Sequence, residues 1–408
     1  MKKSVQAATI AMVVLSVLFI GLKIFQSQTL QVHGTVSAQL SETENVFRAS
    51  ENEVPPSQPG AKELIRKLYL GSNTETSDRR VGNSSLSSVP TYSVNFNYTH
   101  YAIVSVSTPL DENYNYVFYV PLTILSWRRI GYGTILLISG SKQDWLNQPV
   151  LKAVYMYAVK LNASVTFLDS KPENRIMISQ VSRLFAASLL QDKLHETDFL
   201  IISDIDLWPL NADMYVMNTG NEILSLNSDC CGTFEHNGKR YTMLPMANVG
   251  ANLTTWLNII GSDRTLPTNA EDILKYFENE FGSVSRNAVV KGENFGWYQD
   301  QRMLSILVQQ WIDRNDPSLV QRVPRNVGMD RVDRAWWNAN SIVNKTDAHL
   351  LENAYDYKVW FRLTPLLRQM YGENSNAFSL CMRYFEDFQK VFTAKIQNLS
   401  IDVDYLLM

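Results

Sequence analysis

A chain of 408 residues with 45% hydrophobic, 11% aromatic and 19% charged residues carries ample apolar material for a large core. That excludes a disordered, collagen-like or small disulfide-stapled protein. A formal charge of −3 offers no overall cationic field to draw in nucleic acid, and Cys230, Cys231 and Cys381 are too few for a disulfide framework or a Cys-only zinc site.

The first element is apolar. Met1-Lys2-Lys3 precede the uncharged run Ser4–Leu22, which Lys23 closes; its length matches the roughly 20 residues of a bilayer-spanning helix. Lysines before the run keep the N-terminus cytoplasmic. Residues 1–25 are therefore expected to form a short tail and a signal-anchor transmembrane helix, with the rest of the chain lumenal. A cleaved signal peptide, usually with a shorter apolar region, is the alternative. Both lead into the secretory pathway. The sequons at Asn83, Asn97, Asn162, Asn252, Asn344 and Asn398 agree with that route, although several arise by chance in so Asn-, Ser- and Thr-rich a chain. In an oxidising lumen Cys381 could pair with Cys230 or Cys231, which leaves one thiol over.

Residues 26–95 are rich in Ser, Thr, Asn, Gln and Glu, include Pro55, Pro56 and Pro59, and show little periodicity beyond a short helical stretch at Ala61–Leu70. Such a composition cannot bury enough surface to offset chain entropy and reads as a flexible stem. At Tyr101 the pattern changes. Apolar runs at Ala102–Val106, Thr134–Ile138, Ser164–Leu168 and Phe199–Ile202 alternate with helical segments near Val117–Ile130, Leu151–Lys160 and a long amphipathic helix, Glu173–Leu194. Strands apolar throughout and separated by helices predict an α/β fold with a mostly parallel, Rossmann-type sheet flanked by helices. Ligands are then expected beyond the carboxyl ends of the strands. The domain is expected over residues 96–395.

The fourth strand runs into Ser203-Asp204-Ile205-Asp206-Leu207-Trp208-Pro209. Carboxylates at i and i+2 share one side of an extended backbone. At a strand end such a pair can hold Mn²⁺ or Mg²⁺ while the remaining coordination positions take phosphate oxygens. The chemistry implied is departure of a nucleoside diphosphate whose charge the metal neutralises. Phosphatases with an aspartyl nucleophile share the strand and Asp-x-Asp pattern, but they want Thr or Val where Trp208 stands.

The span Gln180–Phe185 through Ile202–Asp206 resembles the donor half of GT-A-fold glycosyltransferases, and the tail, anchor and stem resemble the layout of their Golgi type II members. The likeness spans most of Tyr101–Met370 at superfamily level, with Asp-x-Asp as its specific motif. It implies transfer of a sugar from a nucleotide donor, most simply a UDP-sugar, to a glycan, glycoprotein or glycolipid acceptor, with a donor half at about 96–210 and an acceptor half at about 211–395. It also implies that Ser105, Ser107 and Thr108, in the loop after the first strand, contact the nucleoside. In the long helix, Met177, Val181, Leu184, Phe185 and Leu189 form the apolar stripe, while Arg175, Ser179 and Arg183 follow at i, i+4 and i+8 on another face. From there Arg183 could donate in pairs to the diphosphate, beside Asp204; a surface ion pair is the plain alternative.

Beyond the motif, Ile223–Leu226 reads as a strand and Asn237-Gly238 as a hairpin turn. Thr242–Met246 leads to Asn248-Val249-Gly250 and a helix with Trp256, Leu257 and Ile260. By the resemblance this is the acceptor floor, with Asn248 its polar candidate or else the residue that turns the strand. Gly296–Gln301 opens an amphipathic helix whose buried stripe is Leu304, Leu307, Val308 and Trp311, with Asp300 on the same side. An inward acid at a helix start can accept a proton from an acceptor hydroxyl or steady an oxocarbenium-like sugar; helix capping is the plain alternative. The pair Asp300-Gln301 resembles several retaining families, and Gln301 joins the acceptor candidates. His349 matches the downstream His that completes the metal site in some GT-A families, with Asp204 and Asp206. Trp336-Trp337 and Tyr355–Phe361 suit stacking on sugars or, by default, core packing, and Phe378–Met408 reads as helical. The rival from another class is a catalytically silent lumenal protein that keeps the fold for binding or chaperoning.

Overall fold

The computed structural model describes residues 98–109, 113–261, 264–282, 298–324 and 330–406. Intrachain contacts separate Met1–Ser88 from Val89–Met408, and every described residue belongs to the second unit. The expected anchor and the stem to residue 95 lie outside the described residues, as do Asn83 and Asn97. Among the described residues no helix is long and apolar enough to cross a membrane.

The chain opens with β1 (His100–Ser107), α1 (Asn115–Arg129), β2 (Gly133–Ser139), the short α2 (Lys142–Asn147), α3 (Pro149–Lys160) and β3 (Ser164–Leu168). β3, β2 and β1 lie side by side and parallel. After α4 (Arg175–Val181) and α5 (Ala186–Leu189), the chain crosses back to place β4 (Phe199–Ile202) on the far side of β1, again parallel. β5 (Leu207–Pro209) leaves the main sheet at once. β6 (Ile223–Leu226), a hairpin of β7 (Thr233–His236) and β8 (Lys239–Thr242), then β9 (Val249–Asn252) follow. β9 runs antiparallel between β4 and β6, and β10 (Val320–Val323) is the outer strand beside β6, giving the order β10-β6-β9-β4-β1-β2-β3.

Alternation explains why both faces are covered. Ile135 and Leu137 join one apolar layer with Tyr101, Ile103, α4, α6 (Leu253–Gly261), α7 (Ala270–Phe281) and α8 (Gln299–Ile312). Leu136 and Ile138 join the opposite layer with Val104, Val106, α1, α3, α9 (Tyr357–Tyr371) and α10 (Asn376–Ile396). Each of these four β2 side chains is fully buried, worth about 1.5–3 kcal/mol. A final short helix, α11, spans Val403–Leu406. The two residues of the hairpin turn, Asn237 (φ 48°) and Gly238 (φ 73°), both take the left-handed conformation, as a type I′ turn requires.

The long helix expected at Glu173–Leu194 is instead broken. Pro172–Asn174 and Ser182–Phe185 are 3₁₀ turns on either side of α4, and only Ala186–Leu189 resumes the α conformation. Serine hydroxyls compete with the helix ladder here: Ser182 donates to the Ser179 carbonyl, and Ser188 to those of Phe185 and Pro267. Arg175, Ser179 and Arg183 consequently do not act as one row. Arg175 reaches Asp144 (2.8 Å), Ser179 donates to the Ile176 carbonyl, and Arg183 turns inward.

The cysteine expectation is also corrected. Cys230 and Cys231 are bonded to each other in the loop between β6 and β7. Cys381 is a free thiol, fully buried on α10 in the aromatic layer.

Candidate active site

The main sheet reverses its winding at β1: β2 and β3 extend to one side and β4 returns to the other. The crevice beyond the carboxyl ends of β1 and β4 is thus the topological switch point, where parallel sheets collect ligands. Asp204 and Asp206 leave β4 at this place. Ser203 N–H still bonds to the Ile103 carbonyl (2.9 Å) and closes the last rung beside β1. The backbone then turns rather than continuing extended, with Leu207 N–H bonded to the Asp204 carbonyl (3.2 Å). The turn is anchored from α1, where Thr123 Oγ1 donates to the Ile205 carbonyl (2.5 Å) and accepts from Trp208 Nε1 (2.9 Å). Because the backbone turns, the carboxylates have different partners, Arg183 for Asp204 and Arg334 for Asp206.

A second, three-stranded sheet explains how distant residues reach this turn. β5 pairs antiparallel with β12 (Asp347–His349), and β12 pairs parallel with β11 (Arg331–Asp333). Leu350 N–H bonds to the Asp206 carbonyl (2.9 Å), which fixes His349 beside the motif. In β11 and β12, Val332 and Ala348 point into the core, so Arg331, Asp333, Asp347 and His349 share the other face. His349 Nε2 stands 3.9 Å from Asp206 Oδ2, and its Nδ1 is 3.7 Å from Asp333 Oδ2. Arg334 Nη2 bonds to both Asp206 Oδ2 and His349 Nε2, while Nη1 reaches Glu352 Oε1 (3.2 Å). A guanidinium only donates, so His349 presents its Nε2 lone pair inward. Burial lowers the His349 pKa; the Asp206 charge opposes this and the Arg334 charge reinforces it.

On the other side of the motif, Arg183 is 6% exposed and reaches four acceptors. Nε donates to the Gln180 carbonyl and Nη1 to the Ser203 carbonyl (2.8 Å) and Asp204, while Nη2 lies 3.5 Å from Asp300 Oδ2. Burial pushes the Asp204 carboxyl up, but Arg183, by charge and hydrogen bond, with His349 and Arg331, more than reverses this and holds it below the usual range. Asp300 differs. Its burial outweighs the Arg183 charge and the Gln301 N–H bond, and with Asp204 nearby its pKa is pushed up to about 6. Asp300 sits in the first turn of α8, and its Oδ1 accepts from Gln301 N–H (2.7 Å).

The crevice thus gathers Arg183, Asp204, Asp206, Asp300 and His349. Ser105 and Ser107 belong to β1 itself, and Ser105 Oγ bonds to the Ser179 carbonyl of α4. Thr108 is buried and accepts from Trp145 Nε1 (2.9 Å). Asn248 is fully buried at φ 69° ahead of β9, with Nδ2 3.3 Å from Asp347 Oδ2. Gln301 is half-buried, its Oε1 without a partner among the described residues, and the same holds for both amide atoms of the deeply buried Gln299. Trp337 and Trp360 pack against the core layers, whereas Trp336 is 70% exposed.

Sequence reasoning missed Arg331, Asp333, Arg334, Asp347, Glu352 and Tyr116. Arg331 is a bidentate partner of buried Asp347 (2.5 and 2.7 Å). The Tyr116 hydroxyl is pushed up to about 12 by burial and by the Asp206 and Asp204 charges, with Arg334 opposing. One signal was available: Arg331-Val332-Asp333 and Asp347-Ala348-His349 both alternate charged and apolar residues with period two.

The donor set suits a divalent ion. Two ligands held at about 2.1 Å from one ion lie roughly 3–4 Å apart, and the Asp206–His349 spacing falls in that range. The Arg334 guanidinium already occupies the point where those two lone pairs meet, as a cation stand-in. Asp333 faces the other imidazole nitrogen, the usual carboxylate support of a metal-bound histidine. Among the described residues no group of three or more His, Cys, Asp or Glu side chains is placed to hold a metal ion by itself. A site for Mn²⁺ or Mg²⁺ completed by phosphate oxygens and water does not need one.

No family model matches the sequence, and no curated protein is similar to it. Among solved structures, the bifunctional glycosyltransferase WbbM is similar over 85% of this chain and 65% of its own, at 13% identity and a TM-score of 0.33. The chain therefore spans less than two thirds of that protein. The glycosyltransferase PaToxG is similar over 54% of this chain and 77% of its own, at 10% identity and a TM-score of 0.17. At these scores neither likeness bears on function.

Proposed function

We propose that the chain is a metal-dependent glycosyltransferase that moves a sugar from a nucleotide-diphosphate donor, a UDP-sugar, to a glycan, glycoprotein or glycolipid acceptor. One observation carries the reading: at the switch-point crevice, Asp206 and His349 converge on a single cation position beside Asp204. Six carboxylates there (Asp204, Asp206, Asp300, Asp333, Asp347 and Glu352) outnumber Arg183, Arg331 and Arg334. A diphosphate would be repelled from such a site unless a divalent ion offset the charge.

Asp206 and His349, with Asp204 through its Oδ2 because Arg183 takes Oδ1, would hold Mn²⁺ or Mg²⁺, which when bound neutralises the leaving diphosphate. Asp300 works from the protein side. A carboxyl poised near neutrality can accept a proton from an acceptor hydroxyl, and Arg183 fixes its orientation. In the wider reading, residues 1–25 anchor the protein in the Golgi membrane as a single-pass type II protein with the catalytic unit lumenal. Asn162, Asn344 and Asn398, all exposed, are then accessible to glycosylation, and Asn252 is half-buried.

The test is a donor screen of the full-length chain with Mn²⁺, read as sugar release or transfer, with the product anomer assigned by NMR. Asp206→Ala is expected to lower metal-dependent turnover about 100-fold or more. Undiminished turnover in that variant, or no metal-dependent turnover or metal-linked thermal shift with any donor, overturns the reading and leaves the silent binding protein in its place.

A further inference from the structure

We infer that Arg334 is a displaceable occupant of the metal position and, once displaced, a ligand of the donor diphosphate, so that metal and nucleotide enter the site cooperatively. The inference rests on the reading above, in which Asp206 and His349 take a divalent ion.

The three arginines of the crevice are held very differently. Arg331 spends two nitrogens on one buried carboxylate, Asp347. Arg183 is locked by two backbone carbonyls and two carboxylates. Arg334 hangs from a 3₁₀ turn, Arg334–Trp336, and its Nε has no hydrogen-bond partner among the described residues. Among the described residues its outer nitrogen meets only Glu352, whose side chain is 46% exposed. Its inner nitrogen, Nη2, bonds to the Asp206 oxygen and the His349 nitrogen that a metal needs.

A divalent ion and a guanidinium cannot share those two atoms, since two positive groups would stand in contact. Metal alone must therefore evict an ion-paired arginine with only Glu352 to receive it. Metal arriving with a nucleotide offers that arginine a better partner, because the planar guanidinium fork matches two phosphate oxygens. Each ligand then eases entry of the other, which is a coupling free energy between two sites. Nothing in a purely structural role for Arg334 requires a phosphate contact.

The test titrates Mn²⁺ into the full-length chain without nucleotide, and then UDP or uridine at saturating Mn²⁺, for wild type, Arg334→Met and Arg334→Lys. Arg334→Met is expected to bind Mn²⁺ alone about fivefold tighter or more, since the competing cation is gone. It is expected to bind UDP about tenfold more weakly, with uridine affinity within about twofold of wild type. Arg334→Lys keeps a competing charge but lacks the fork, so its Mn²⁺ affinity should stay near wild type while UDP binding weakens; it carries the test if Arg334→Met does not fold. Unchanged or weaker Mn²⁺ binding in Arg334→Met, or unchanged UDP binding in both variants, overturns the inference. Wild-type protein with no Asp206-dependent Mn²⁺ binding overturns the reading of the metal site itself.

Discussion

Asp300 and Arg183 show how one buried contact sets two functions. Because the folded pKa of Asp300, about 6, lies above the ordinary 3.8, the native state holds this proton more tightly than the unfolded chain. Stability owed to Asp300 is therefore greatest at acid pH and is lost as pH rises from about 4 to about 6. Asp300→Asn should lack that slope in a series of urea unfolding curves. Turnover runs the other way, since a base must be ionised: kcat/KM of the wild type should rise with an apparent midpoint near pH 6. Asp300→Asn should lower kcat about 100-fold or more while Mn²⁺ affinity stays within about twofold. Arg183→Met leaves a buried carboxylate without its counter-charge and should cost about 3–5 kcal/mol at pH 8. The loss should shrink at pH 5, where Asp300 takes up a proton instead. A flat pH response would mean that Arg183 contributes packing rather than charge.

At the scale of elements, the crevice depends on strand pairing more than on the helices around it. β9 holds β4 in place, and Gly250 makes that pairing close: a Cβ there would meet Phe199 Cζ at 2.5 Å and Ile201 Cβ at 3.2 Å. Gly250→Ala should therefore destabilise the domain by about 1–3 kcal/mol and raise amide exchange in β4, read by hydrogen exchange. The sequence shows several strands of the main sheet plainly, because segments covered on both faces are mostly apolar. Ser164–Leu168, Phe199–Ile202 and Ile223–Leu226 match their expected ranges. The helix before the motif was misjudged for the complementary reason: an apolar period survives a change from α to 3₁₀ winding, so Met177, Val181, Leu184 and Phe185 are all buried although the helix breaks at Ser182. What moved was Arg183, carried from an outer face to the interior.

Across the whole molecule, the layer over α1 is an aromatic cluster centred on Phe118. Its ring stacks on Tyr384 (5.4 Å) and meets Phe388 (4.9 Å) and Trp360 (5.9 Å) edge to face, while Trp360 stacks on Phe385 (4.4 Å). Phe118→Ala should cost about 3–5 kcal/mol and shift the unfolding midpoint in urea or heat. Cys381 is buried in the same layer, and burial pushes its thiol up to about 12. It should resist alkylation at pH 8 until the domain unfolds, and rapid labelling of native protein would show that the layer opens. Individual strands and the Asp-x-Asp pair could be read along the chain because each is written in consecutive residues, as apolar runs and a short acidic motif; strand order and the turn at the pair could not. Nor could Arg334, which grips Asp206. Arg334 reaches Asp206 only because β5 leaves the main sheet to pair with β12, and β12 with β11, and hydrogen bonds between backbones distant along the chain leave no mark in local composition.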